Sequence, residues 1–420
     1  MLFPKHGCVF EKAFPCFSKK TKPFVRTYED RKNPSPFRIF YLSLRRDRVA
    51  LLKQNTMMKT KEQLLHILDQ FALADTVVSA EPFGNGHIND TLKVTNAQGE
   101  IKYVLQRINH LIFTNVDMLQ NNIHTVTSHI RKKLEERGEE DIDRKVLTFL
   151  PTKDGKLYYF DGDSYWRVCL FIPRSRSFEE VTPELSYEAG KAFGQFQSML
   201  ADLPEGALGE TIPNFHNMEF RLQQFREAVA ANAAGRLEEV KELIGEIEKR
   251  AEAMCIQEQL YREGQLKKRT NHCDTKVNNI MFDEDGKVLC VIDLDTVMPG
   301  FVLSDIGDFI RTGANTGAED DENLDNVEVN MEIFQAYTRG YMETAKAFLT
   351  PQEIRLLPYG GRLLTYMQTV RFLTDYINGD TYYKIHSPKH NLVRTKAQFK
   401  LLQSLEAHAE EMDTFMNQWL

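Results

Sequence analysis

The chain has 420 residues, of which 42 % are apolar and 10 % aromatic, enough for one large two-lobed core or two domains. No stretch approaches the roughly eighteen uninterrupted apolar residues of a membrane-spanning helix. The net charge of −7 is uneven: residues 1–56 hold thirteen Lys/Arg against four Asp/Glu, or +9, leaving −16 on an acidic body that argues against nucleic-acid binding.

The first 56 residues mix Pro, Lys, Arg and Phe with no sustained helical or strand period, no apolar signal-peptide core and no small-residue cleavage site. We expect residues 1–57 to form a disordered basic extension ahead of a functional start at Met57 or Met58, the alternative being a basic targeting or anchoring arm. Thr60 and Gln63 then have the spacing of a capping box, and Leu64, Leu65, Ile67, Leu68 and Phe71 follow at helical intervals. The six cysteines (8, 16, 169, 255, 273 and 290) lack C-x-x-C spacing. This favours a reduced, cytoplasmic setting over a disulfide framework or a zinc site.

From Thr76 the pattern becomes short strands. Val77–Ala80 leads into Phe83-Gly84-Asn85-Gly86-His87-Ile88-Asn89-Asp90, then come Thr91–Thr95, a turn over 96–99 and a strand over 101–108. A Gly-rich turn between antiparallel strands can close backbone N–H groups over phosphates, which makes Gly84 and Gly86 candidate nucleotide contacts. The strand Tyr103-Val104-Leu105-Gln106-Arg107 stands where kinases carry a phosphate-binding Lys, and the two-residue alternation puts Gln106 in that register. Gln supplies no charge, so either Arg107 swings in from the opposite face or another cation substitutes. The helix expected over Asn115 to Arg137 holds Asp117, Glu135 and Glu136 as candidate acids to pair with that cation. Strands over Lys145–Leu150 and Trp166–Phe171 lead to Ile172-Pro173-Arg174, a hinge whose backbone, at Phe171 and Ile172, would meet an adenine. Residues 58–173 thus read as a nucleotide-binding lobe and 174–420 as a catalytic lobe. The second lobe is mainly helical: helices are expected over Glu184–Leu203, Asn217–Ala233, Arg236–Gly264, Val327–Phe348, Pro351–Ile377 and Lys396–Trp419.

The chemistry is concentrated in His272-Cys273-Asp274-Thr275-Lys276-Val277-Asn278-Asn279, followed by Ile292-Asp293-Leu294-Asp295. In phosphoryl-transfer sites with this spacing one Asp takes the proton of the attacking hydroxyl, an Asn five residues on binds Mg²⁺, and a second Asp holds Mg²⁺ against the nucleotide. Those places fall to Asp274, Asn279 and Asp293, and Lys276 can neutralise charge on the moving phosphoryl group. The segment from Ile280 to Val291 reads as a hairpin with its turn at Asp283-Glu284-Asp285-Gly286, which brings Asn279 and Asp293 together. His272 and Asp308 are expected to be structural. Asp308 should accept hydrogen bonds from the catalytic-loop backbone, and Asp305 should cap the helix that opens there.

With these residues placed, the chain resembles the aminoglycoside phosphotransferase/choline kinase superfamily, and within it the bacterial N-acetylhexosamine 1-kinases. The resemblance is carried by Gly86–Thr91, Leu105–Asn109, Ile212–His216, His272–Gly300, Val370–Tyr376 and Asn378–Ile385. It implies an α+β, bilobal protein-kinase-like fold with a small antiparallel β-rich lobe and a large helical one. It also implies ATP and Mg²⁺ as cofactors and phosphorylation of the anomeric hydroxyl of GlcNAc or GalNAc, a small-molecule sugar partner. Carried over by motif, His87 and Arg371 would join Asp274 in holding the sugar. Their alternative roles are hairpin capping for His87 and an ion pair with Asp375 for Arg371, and His216 reads as a core or capping histidine. Where the family pattern has an aromatic, this chain has Thr312, which leaves one apolar wall of the implied sugar pocket missing. Another small-molecule kinase of this fold (for an aminoglycoside, choline or homoserine) and a non-catalytic nucleotide-binding protein are the competing functions.

Overall fold

The computed structural model describes residues 59–84 and 88–420. The basic extension, and Gly86 and His87 of the Gly-rich turn, lie outside the described residues.

Helix α1 (Lys61–Leu68) starts where the capping box puts it, with Thr60 and Gln63 exchanging side-chain and backbone bonds, and buries Leu64, Ile67 and Leu68. Strands β1 (Val77–Pro82), β2 (Asp90–Asn96) and β3 (Ile101–Ile108) form an antiparallel meander. After helix α2 (Val116–Glu136) and a single helical turn α3 (Ile142–Lys145) come short β4 (Phe149–Leu150), β5 (Tyr159–Phe160) and β6 (Tyr165–Leu170). The sheet order is β1-β2-β3-β6-β4, with β5 paired to β6. The alternation in β2 and β3 turns Leu92, Val94, Tyr103 and Leu105 to one face, where they meet Trp166, Val168 and the apolar stripe of α1.

Asn115 caps α2 by accepting the Met118 N–H at 3.0 Å. The stripe Leu119, Ile123, Val126, Ile130 and Leu134 packs with Phe196 and Leu200 of the next helix and with Leu294 and Val297. That last contact anchors the turn carrying Asp293 and Asp295. Asn122 reinforces it by donating to the Val297 carbonyl at 3.1 Å.

Beyond residue 173 the chain is mainly helical: α4 (Pro183–Leu200), α5 (Met218–Ala231), α6 (Lys241–Arg250) and α7 (Ile256–Arg262). Strands β7 (Arg269–Asn271), β8 (Ile280–Phe282), β9 (Val288–Val291) and β10 (Met298–Gly300) frame the loop 272–279 as two hairpin-like pairs, β8–β9 and β10–β7. Then follow α8 (Val302–Gly313), α9 (Met331–Ala345), α10 (Pro351–Ile377), α11 (His390–Ala407) and α12 (Ala409–Met416). Helices α8 and α10 touch backbone to backbone, because a Cβ on Gly307 would collide with the Gly360 carbonyl. Among the described residues no helix is long and apolar enough to cross a membrane.

Three expected elements differ. The strand over Lys145–Leu150 keeps only its last two residues. Asp143 accepts from Arg131 at 2.6 Å and from Thr148 at 3.0 Å, folding the first part against α2 as the turn α3. The single helix over Arg236–Gly264 is two helices, one 3₁₀ turn preceding the first and a second joining them, its buried apolar residues Val240, Ile247, Ala251 and Met254 being too sparse to seat one continuous rod. The last helix begins earlier, at His390, and breaks at His408, whose Nδ1 meets the Ser404 carbonyl at 2.9 Å.

Glu258 on α7 is buried and accepts the N–H of Met218, the first residue of α5, at 2.8 Å, while its other oxygen has no partner. Burial pushes its carboxyl from the ordinary 4.5 up to about 7. Between those pH values the folded chain holds more protons than the unfolded one, so this group's contribution to stability is lost as pH rises through about 7. Glu258→Gln keeps the acceptor and removes the charge. It should melt with the wild type at acid pH and be more stable by up to about 3 kcal/mol at pH 8, as read by denaturant titration at both pH values.

Candidate active site

The catalytic loop begins where β7 ends. His272 is fully buried and edge-on to Phe193 and Phe196. Its Nε2 meets the Ile292 carbonyl at 2.8 Å and its Nδ1 receives the Asp274 N–H at 3.3 Å, an arrangement that fits a neutral ring protonated at Nε2. One imidazole therefore clamps the loop to the strand end preceding Asp293. Cys273 (φ +64°) and Asp293 (φ +58°) both adopt left-handed backbone, a conformation costly for residues with a Cβ that turns the chain sharply at each point.

The Asp274 carboxylate lies between two donors, Asn279 Nδ2 at 3.0 Å and Lys276 Nζ at 3.1 Å. The same Asn279 amide also donates to the Asp274 carbonyl at 2.8 Å, which leaves its Oδ1 for a cation. The β8–β9 hairpin forms as expected, with Asp283 accepting from Asp285 and Lys287 in its turn. Its closing bond, from the Ile292 N–H to the Asn279 carbonyl at 2.9 Å, sets Asn279 beside the residue before Asp293. Burial, then the charges of Asp295 and Asp274, push the Asp293 carboxyl up to about 6. A divalent cation would relieve that crowding. Among the described residues no three or more His, Cys, Asp and Glu converge as a metal cage. A site offering only Asn279 and Asp293 would fit Mg²⁺, which keeps waters and takes phosphate oxygens as its remaining ligands.

The loop backbone is held from beneath. Asp308 accepts the Thr275 N–H at 3.0 Å, as expected, and pairs with Arg311 at 2.9 Å. Asp305 is not a cap, because α8 begins three residues earlier at Val302 and carries Asp305 under the loop. There it accepts the N–H groups of His272 at 2.9 Å and Cys273 at 2.7 Å, and Gln197 Nε2 at 2.7 Å.

At the entry to the Gly-rich turn, Gly84 has φ +74°, and Phe83 meets Phe171 edge-on at 6.1 Å. Phe171 receives a backbone bond in register with β3, its N–H donating to the Lys102 carbonyl at 2.9 Å. Ile172 is buried, and its carbonyl accepts the Ser175 hydroxyl at 2.6 Å. Arg107 sits across β2–β3 from Asp90 and bonds it through Nε at 2.6 Å. Gln106 instead faces Arg167 of β6, accepting its Nε at 2.9 Å, and Arg167 pairs with Asp295 at 2.5 Å. The acids left open on α2 are placed elsewhere: Asp117 accepts the Tyr158 hydroxyl at 2.7 Å, Glu136 pairs with Lys132 at 3.9 Å, and Glu135 is exposed.

On α10, Arg371 lies over the rings of Phe215 at 5.4 Å and Tyr383 at 5.7 Å and donates to Gln368 at 3.0 Å. It does not pair with Asp375, whose oxygens accept the N–H groups of Thr381, Tyr382 and Tyr383 and the Asn391 amide. His216 stacks on Phe215 at 4.3 Å, and its Nδ1 is buried without a partner. Burial, then the nearby Arg371, Arg221 and Arg311, hold its pKa well below the ordinary range, so it is neutral. This neutral ring, its Nδ1 buried, agrees with the expected core histidine.

The sequence matches the phosphotransferase enzyme family over residues 79–343. The chain belongs to that family. Among solved structures it is similar to a spectinomycin phosphotransferase bound to ADP and spectinomycin (14 % identity, TM-score 0.54, covering 84 % of this chain and 100 % of that one). It is also similar to an aminoglycoside phosphotransferase of Alicyclobacillus acidocaldarius (12 %, 0.50, 88 % and 98 %) and an ethanolamine kinase of Plasmodium vivax (14 %, 0.50, 89 % and 97 %). These likenesses establish the kinase-like fold, a small antiparallel sheet followed by a helical region. In this phosphotransferase the loop's rigidity rests on a buried carboxylate. Asp305→Ala leaves two loop N–H groups and Gln197 without their acceptor and should cost about 2–5 kcal/mol, measured by chemical denaturation. A loss under about 1 kcal/mol would remove Asp305 from this role.

Proposed function

We propose that the chain is an ATP-dependent kinase that phosphorylates the anomeric hydroxyl of N-acetylhexosamines, giving the sugar 1-phosphate. The family supplies the reaction class, and the observation favouring this acceptor is the cradle around Arg371. A guanidinium held between Phe215 and Tyr383, beside a neutral His216, suits a ligand rich in hydroxyl and amide oxygens. The same surroundings repel cations, which weighs against aminoglycosides and choline. Phe215 and Tyr383 also supply the aromatic surface that Thr312 cannot, since its hydroxyl is turned back onto the Asp308 carbonyl at 2.8 Å.

In this reading Asp274 orients the anomeric hydroxyl and accepts its proton as the new O–P bond forms and the bond to the ADP leaving group breaks. Lys276 starts in contact with Asp274 and can follow the charge that develops on the transferring group. Asn279 and Asp293 would hold Mg²⁺, whose chemistry is to neutralise the phosphate oxygens. Positioning carries more of the barrier than basicity, because an anomeric hydroxyl is already more acidic than an ordinary alcohol.

ADP release from MgATP should be stimulated by GlcNAc or GalNAc and not by choline, homoserine or kanamycin, and the product phosphate should be acid-labile. Turnover on one of the last three with silence on sugars would retain the kinase and discard the sugar. Asp274→Ala should keep the melting curve and lower kcat by about a hundredfold or more; near-normal turnover would remove Asp274 from the chemistry. Arg371→Met should raise KM for the sugar at least about tenfold with KM for ATP unchanged, and equal changes in both would show that Arg371 does not contact the acceptor.

A further inference from the structure

The place where kinases carry a Lys on the third strand and its Glu partner on the following helix is occupied here by neither residue type. Gln106 stands in the strand register, and the buried positions of α2 contain no acid. A cation and a carboxylate are nevertheless present at that spot, drawn from two other elements. Arg167 is the cross-strand partner of Gln106 in the β3–β6 ladder, so their side chains share a face of the sheet. Its guanidinium bonds Gln106 and Asp295, with both ion-pair side chains only 3 % exposed. The second oxygen of Asp295 is taken by the Asn89 amide, and Asn89 in turn accepts the Asn109 N–H at 2.9 Å. The pair thus sits between the end of the Gly-rich turn and the turn that carries Asp293, two residues from Asp295.

We propose that Arg167 is the cation that contacts the nucleotide's terminal phosphates and that Asp295 holds it ready, the two replacing the missing Lys–Glu pair. This rests on the kinase reading above. Two desolvated charges are a poor source of stability, since the cost of taking each out of water rivals their attraction. A pair kept at the junction of the phosphate-covering turn and the metal-binding turn is better explained by a ligand. Nε and one Nη1 hydrogen are committed to Gln106 and Asp295, which leaves the Nη2 edge to meet phosphate oxygens in the fork geometry that suits them. Gln106, which looked like a defect in the sequence, becomes the residue that orients the substitute.

The test is calorimetric titration of the full chain with MgADP, MgATP and adenosine, for wild type, Arg167→Met, Arg167→Lys and the double variant Arg167→Met/Asp295→Leu. The double variant removes both buried charges together and so avoids leaving Asp295 unpaired. We expect MgADP and MgATP affinity to fall at least about tenfold in Arg167→Met and in the double variant, adenosine affinity to stay within about twofold, and Arg167→Lys to recover part of the loss. Folded variants that bind MgADP like the wild type, or that lose ADP and adenosine in equal proportion, would overturn the assignment while leaving the kinase reading intact. A wild type that binds no adenine nucleotide would overturn both.

Discussion

The site depends on one buried carboxylate that has no cation beside it. Asp305 is fully enclosed, and what compensates its charge is the catalytic-loop backbone itself, through the N–H groups of His272 and Cys273. Burial still dominates, pushing the carboxyl up to about 6. The anion is further fixed by Gln197 of α4, which bonds Asn271 at 2.9 Å and accepts the hydroxyl of Tyr341 from α9 at 2.5 Å. Three helices therefore converge on the loop through a single acceptor. A loop stapled in this way can hold Cys273 in a left-handed conformation, and Asp274 follows that turn partly exposed, in contact with Lys276 and Asn279.

A second economy of the same kind operates around Arg371. Asp375 looks like a natural partner for Arg371, four residues earlier on α10, but its oxygens close the turn after the helix by accepting three successive backbone N–H groups. Using the acid as a backbone anchor leaves the guanidinium to the aromatic faces. Arg311 does the reverse, bridging Asp308 and Glu319 at 2.6 Å and so tying the acidic segment after α8 to the base of the catalytic loop.

Much of this was legible in the chain. The capping box at Thr60, the limits of α2 and α10, the β8–β9 hairpin and the loop contact of Asp308 follow from local signals, because each is decided by residues within a few positions of one another. The errors have a common cause in long-range packing. Whether Asp305 or Asp308 supports the loop depends on where α8 starts, a matter of one helical turn, and both do. Gln106 and Arg167 are 61 positions apart and meet only through the β3–β6 register, which no periodicity reveals. The sparse apolar run after Arg236 has helical composition but too little to bury, so packing breaks it.

The enclosure that makes the loop rigid also decides the chemistry of its sulfur. Cys273 stands next to Asp274, yet its thiol is buried among Asp305, Asp308 and Asp274, and burial and those charges hold its pKa well above the ordinary range. Burial likewise lifts Cys169 and Cys255 to about 11 and Cys290 to about 12. Thiolate, the species that electrophiles and oxidants attack, is thus suppressed at all four. A cysteine one residue from Asp274 is thereby kept as the protonated thiol, a packing group in place of a nucleophile.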